Sequence, residues 1–275
     1  MIKTSYSLGY ARATENVTIA NCTVSGGYQL GSLLDGSFKP FPAPAGHDAP
    51  PRTGRIKIGT ETNGDVRNIV VSNCVFDGCH GLAVESEDGA HVDGVVFSNI
   101  TMRNVVGPPF FLRLGARLRG PAGTVVGSMR NIQFDNIVCM NASSEISSIL
   151  AGVPGHPIED VSFTNIRIDH QGGGKSSSEP VSEREAAYPD PDMFGSTPAQ
   201  AFYLRHAKNI TMTAVTISAQ QLDRRPILVL DDVQHARLSG MRFPTTQGSG
   251  ALLSSTNTED IQIHESPPST DTSTR

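Results

Sequence analysis

The 275 residues carry 22 Lys and Arg against 27 Asp and Glu, a formal charge of −5 with no basic run or Arg/Lys-rich face, which makes nucleic acid a poor partner. Aromatic residues make up only 6% of the chain, and 27 Gly with 18 Pro argue for many turns rather than many helices. No apolar run reaches membrane-spanning length, so no membrane partner is expected, and no signal peptide stands at Met1.

Taken in order, Met1 to Lys3 already reads as the end of a strand, so the chain is expected to start in mid-fold, without the N-terminal coils and cap that close a stack of strands. A strand-turn unit then recurs: ENVTIANCTV (15–24), RNIVVSNCVF (67–76), DGVVFSNITM (93–102), RNIQFDNIVC (130–139), EDVSFTNIRI (159–168) and, more weakly, KNITMTAVTI (208–217). Each unit alternates apolar and other residues, is rich in Val, Ile, Thr and Phe, and is bounded by turn residues. Asn73 and Asn99 set a period of about 26 residues, a solenoid length. A repeat of that length supports a coil of short strands stacked at roughly 4.8 Å, and the expected fold is all-β, a right-handed parallel β-helix.

Residues 1–265 are read as one elongated domain, with inserted loops at about 36–53 and 171–200 and a disordered tail at 266–275. The first insertion carries Pro40, Pro42, Pro44, Pro50 and Pro51, and the second is rich in Gly, Ser and Pro with order expected around Tyr188 to Phe194. The recurrent Asn21, Asn73, Asn99, Asn136 and Asn165 are expected to stack as an amide ladder. Cys22, Cys74 and Cys139 fall at similar repeat positions and read as small buried residues, as no paired CxxC metal spacing occurs; whether they or Cys79 form a disulfide is left open.

On such a scaffold, chemistry belongs to one exposed sheet and the loops that wall it. The polar residues that end or interrupt strands there are Asp35, Arg55, Lys57, Glu61, His80, Glu85, Glu87, Asp88, Arg113 and Arg117. Arg55 and Lys57, two apart on a strand, share a face and form either a cationic pair for carboxylates or solvated surface charges. Glu85 and Glu87 share a face in the same way. Paired carboxylates suit glycoside hydrolysis, where an inverting enzyme holds acid and base about 6.5 to 9.5 Å apart; they equally suit an acidic turn. His80 is either a proton-transfer or substrate contact or a turn residue.

The repeat units, together with GRIKIGTETNG, CHGLAVESEDG, PPFFLRLGARLRGP, AYPDPDMFGSTPAQAFYLRHAKNITM and RPILVLDDV, resemble the polygalacturonase-like pectin hydrolases of glycoside hydrolase family 28, from Ile2 to about Phe243. The resemblance implies a pectin-lyase-like β-helix and inverting hydrolysis of a galacturonate-containing polysaccharide, by a monomer without metal or organic cofactor that is secreted or periplasmic in its full-length form. It gives Arg55, Lys57, Asp35, Arg113 and Arg117 the role of substrate contacts. The family's aspartates, in Asn-Thr-Asp and Asp-Asp motifs, align ahead of Met1, which leaves Glu85, His80 and Glu61 as weak catalytic candidates and an inactive chain as the expectation. Arg55-Ile56-Lys57 matches the family's Arg-Ile-Lys segment literally. The repeat register instead places His80 to Ser86 there, with Ala83 and Glu85 at the Arg and Lys positions. A non-catalytic β-helix that binds acidic polysaccharide, or an inactive fragment, is the alternative to a hydrolase; a polysaccharide lyase is a further one, for which no calcium cluster is evident.

Overall fold

The computed structural model describes residues 1–27, 29–40, 54–174, 180–244 and 249–266. It is all-β, with 55% strand and 3% helix, and its strands are mostly parallel. Level after level, a short strand is followed by a longer one. The first levels are β1 (Ile2–Thr4), β2 (Thr14–Ala20) and β3 (Thr23–Ser25), a hairpin of β4 (Gln29–Gly31) and β5 (Phe38–Pro40), then β6 (Lys57–Thr62) and β7 (Val66–Asp77). There follow β8 (Leu82–Ser86) and β9 (His91–Arg103), β10 (Phe110–Leu114) and β11 (Ser128–Ala142), β12 (Ser148–Ala151) and β13 (Ile158–His170). The series ends with β14 (Phe202–Ala219), β15 (Leu228–Ser239), β16 (Leu253–Thr256) and β17 (Glu259–His264).

The short strands pair in the order β1-β6-β8-β10-β12-β14, and the long ones in the order β14-β13-β11-β9-β7-β2, so that β14 closes the two faces into a nearly complete, β-helix-like wrap. All of the sequence repeats, the weak one included, lie in register: Ile69, Val95, Ile132, Val161 and Ile210 occupy one column and Val71, Phe97, Phe134, Phe163 and Met212 the next. Both columns are buried, and Phe97, Phe134 and Phe163 stack in parallel at 5.0 and 4.8 Å, with Phe110 and Phe202 edge-on to Phe163 from the opposite face.

The long strands bend because two residues per level take the left-handed conformation. One column is Asn16, Asn68, Gly94, Asn131, Asp160, Asn209, His235 and Asp260; the other is Asn21, Asn73, Asn99, Asn136, Asn165, Ala214, Gly240 and Glu265. Asn tolerates this conformation better than most residues, and its amide binds its copy on the next level. Asn99 donates to Asn73 at 3.3 Å, Asn136 to Asn99 at 2.7 Å and Asn165 to Asn136 at 3.0 Å, the expected ladder.

Two expectations change. Cys139 belongs with Met102 and Ile168 and not in the Cys74 column, where Cys74 faces Ile100; all four cysteines are free thiols. Burial pushes the Cys79 thiol up to about 11 and that of Cys139 up to about 12. The segment expected to be an exposed loop is largely a cover, since Pro191, Met193, Phe194 and Ala199 are buried against the outer side of the short-strand face. Its apolar anchors are not periodic, so an alternation test misses them. Residues 41–53 of the first insertion and 267–275 of the tail lie outside the described residues, and Phe38–Pro40 forms one strand of the β4/β5 hairpin.

Candidate functional site

Along the short-strand face, alternate residues point into the wrap and out of it. Leu82 and Val84, Phe110 and Leu112, Leu150, Phe202 and Leu204 belong to the interior, whereas Ala83, Phe111, Ile149, Ala151 and Tyr203 form a second apolar cluster with Met193, Phe194 and Ala199 of the cover. The charged residues of the outward columns are thereby enclosed. Each then needs a partner, because burying an isolated charge costs several kcal/mol.

Lys57 and Glu85 meet that need together. The Lys57 ammonium lies 2.6 Å from Glu85 Oε2, with both side chains buried, and the Thr60 hydroxyl donates to the same oxygen at 2.9 Å. Burial pushes the Glu85 carboxyl above its ordinary value, and Lys57 and Thr60 offset only part of that. The Lys57 ammonium also sits 5.7 Å from the ring centroid of Tyr188, which is 60% exposed and whose hydroxyl is 3.5 Å from that of Thr60. Arg55 lies close enough to bias Glu85 electrostatically.

Deeper under the cover, Arg113 is fully buried on β10. It donates to the carbonyls of Gly152 at 2.9 Å and Glu183 at 3.1 Å, and its guanidinium lies 5.4 Å from the Phe194 ring centroid. Glu87 is also fully buried, and neither of its carboxyl oxygens has a hydrogen-bond partner. Burial pushes it up to about 8 against the pull of Arg113, so at neutral pH it is a protonated acid. Gly115 makes room for it: a Cβ there would stand 2.1 Å from Glu87 Oε2. Arg117 forks onto Asp88, with Nε 3.0 Å from Oδ1, and the Arg119 amide donates to the same oxygen at 2.9 Å.

The remaining candidates are scattered. Glu61 makes an exposed pair with Lys3 at 3.4 Å. His80 lines a narrow crevice with Arg55, Gly81 and Pro191. Asp35 accepts from the Ser37 amide at 2.9 Å in the exposed β4/β5 turn, where hydrogen bonding from the Ser37 side chain, and then from that amide, holds its carboxyl below the usual value. Glu87 stands just past the end of β8, close enough to Glu85 for the two carboxyls to repel, and both are sealed from water. What sequence pattern missed is Thr60, Tyr188 and the ionic cluster of Glu183, Arg205, His206, Asp231 and Asp232. The one available signal was the charged RH and DD pairs standing at the ends of apolar strand runs.

No helix among the described residues is long and apolar enough to cross a membrane. No family model, curated protein or solved structure matches the chain.

Proposed function

We propose that the chain is a right-handed parallel β-helix of the polygalacturonase-like type, directed at an acidic, galacturonate-containing polysaccharide, which it grips at the rim where the cover ends. The observation that carries this is the buried Lys57 ammonium beneath the exposed ring of Tyr188. A ring face offers a sugar an apolar platform, and an ammonium beside it favours a sugar that bears a carboxylate. Arg55 adds a second cation, and Glu61 with Lys3 borders the same end of the face. Glu85 holds Lys57 in place beneath the ring.

The described residues support gripping rather than cutting. Acid and base must reach both the glycosidic oxygen and a water, and Glu85 and Glu87 reach neither under the cover. In gels containing homogalacturonan the chain is expected to be retarded, and in gels with neutral galactan to run freely, with no release of reducing ends from either polymer. Lys57→Met or Tyr188→Ala is expected to weaken the retardation about tenfold, roughly 1.4 kcal/mol. Equal retardation by both polymers, or no effect of either substitution, would reject this assignment; steady release of reducing ends would reinstate a hydrolytic one.

A further inference from the structure

At the corner where β14 and β15 leave the short-strand face for the long-strand one, two consecutive residues on each strand face each other in register: Arg205 and His206 against Asp231 and Asp232. His206 and Asp232 take the left-handed conformation that turns the chain, at φ +47° and +55°, and this throws their side chains to the outside of the corner. Asp231 forms an ion pair with Arg205, 3.1 Å from Nε but without hydrogen-bond geometry, and Asp232 holds His206 Nδ1 at 2.6 Å. The His206 ring is thus fixed from the rear by a hydrogen bond, and the Arg205 guanidinium by charge. Their front sides converge on a single carboxylate, that of Glu183: an Arg205 terminal nitrogen pairs with Oε1, and His206 Nε2 lies 3.1 and 3.2 Å from the two oxygens. Arg205 also donates to the Val181 carbonyl at 2.7 Å.

Glu183 comes from a part of the cover whose backbone is tied to the body through the carbonyls of Val181, Glu183 and Glu185 but whose side chains are little buried. From Pro180 to Tyr188 the residues are exposed or half-buried, while the anchored part begins at Pro189. The Glu183 side chain is 29% exposed, whereas the Arg205 and His206 side chains are 15% and 10% exposed. Beside His206, on its Asp232 side, opens a furrow of about 260 Å³ lined by Gly155, Pro157, Glu159, Lys208 and Gln234.

We propose that Arg205 and His206 form a carboxylate-binding clamp whose present occupant is the chain's own Glu183, and that the carboxylate of an acidic sugar competes for the place, its ring lying in the furrow. A rear-held Arg with a rear-held His offers two directed donors to one carboxylate, which is how carboxylate recognition gains specificity. An exchange of Glu183 for a ligand carboxylate leaves the charge of the corner unchanged, so no new desolvated charge is created. The choice of sugar rests on the acidic-polysaccharide assignment above; the clamp itself does not.

The test is calorimetric titration of D-galacturonate, with D-galactose as the control that lacks the carboxylate, into the 275-residue chain and into Glu183→Ala and Glu183→Gln. Freed of its internal competitor, Glu183→Ala is expected to bind galacturonate at least tenfold more tightly than the parent, Glu183→Gln to gain less, and galactose to give no heat. Adding Arg205→Gln to Glu183→Ala is expected to abolish the gain. Unchanged or weaker binding by Glu183→Ala, equal binding of galactose, or a gain that survives Arg205→Gln overturns the clamp. Lys57→Met separates the two sites: it weakens polymer retardation if the rim is the gripping site and leaves the Glu183→Ala gain intact, so either assignment can fail alone.

Discussion

Glu87 shows how far a single buried group can govern the behaviour of the whole. Its carboxyl titrates at about 8 in the folded chain against 4.5 in water, so between those pH values the folded protein holds a proton that the unfolded chain has released. Its contribution to stability is therefore fully present below pH 4.5, is lost as pH rises towards 8, and at pH 7 costs about 3 kcal/mol relative to a neutral side chain. Glu87→Gln keeps the shape without the titration. It is expected to be more stable than the parent at pH 7 by up to about 3 kcal/mol and no more stable at pH 4.5, as read from urea unfolding at each pH. A constant difference across pH would show that the carboxyl is not protonated in the fold. His170 limits the acid side: burial pushes it down to about 4, so its contribution is intact above 6.5 and is lost as pH falls from 6.5 to 4. The ESE spacing was enough to bring Glu85 and Glu87 close to each other. It could not reveal that residues about a hundred positions later seal them in, because burial by a distant segment leaves no mark on local alternation.

At the level of strands, the bends were written in the chain wherever Asn supplied them. Where it did not, the neighbours supplied them instead. Ala214 holds φ +53°, directly after Asn165 in the ladder and with no amide to continue it, because β13 and β15 pair with β14 on both sides and dictate its path. An L-residue other than Gly or Asn pays roughly 1–2 kcal/mol for that conformation. Ala214→Asn is therefore expected to stabilise the protein by about 1 kcal/mol, and its mirror, Asn136→Ala, to lose about 2 kcal/mol, since Asn136 both donates to Asn99 and accepts from Asn165. Thermal unfolding of the two variants decides the matter. An Ala214→Asn protein that melts lower than the parent would mean that the bend is set by something other than residue preference. The weak repeat at Lys208 departs from the Asn pattern and yet pairs fully, so the alternation of apolar residues carried more of the fold than the amides did.

Across the described residues, two apolar cores are separated by one sheet. The interior core is organised by the Phe97, Phe134 and Phe163 stack, and the outer one by Phe111, Ile149 and Tyr203 under Met193 and Phe194. Because each level touches chiefly its neighbours, a defect should stay local to the core in which it is made. Phe194→Ala removes the ring over Arg113 and the anchor of the cover without entering the interior. The expected cost is about 3–5 kcal/mol if the cover stays in place, and less if it detaches. Hydrogen exchange tells these apart: detachment raises exchange in residues 180–200, β10 and β12, while β9, β11 and β13 keep their protection. Detachment also lets water reach Glu87, so its carboxyl should ionise at lower pH and the loss of stability between pH 4.5 and 8 should shrink in the same variant. If instead β11 loses protection together with the cover, the two cores are one cooperative unit, and the outer face cannot open to a ligand without unfolding the wrap beneath it.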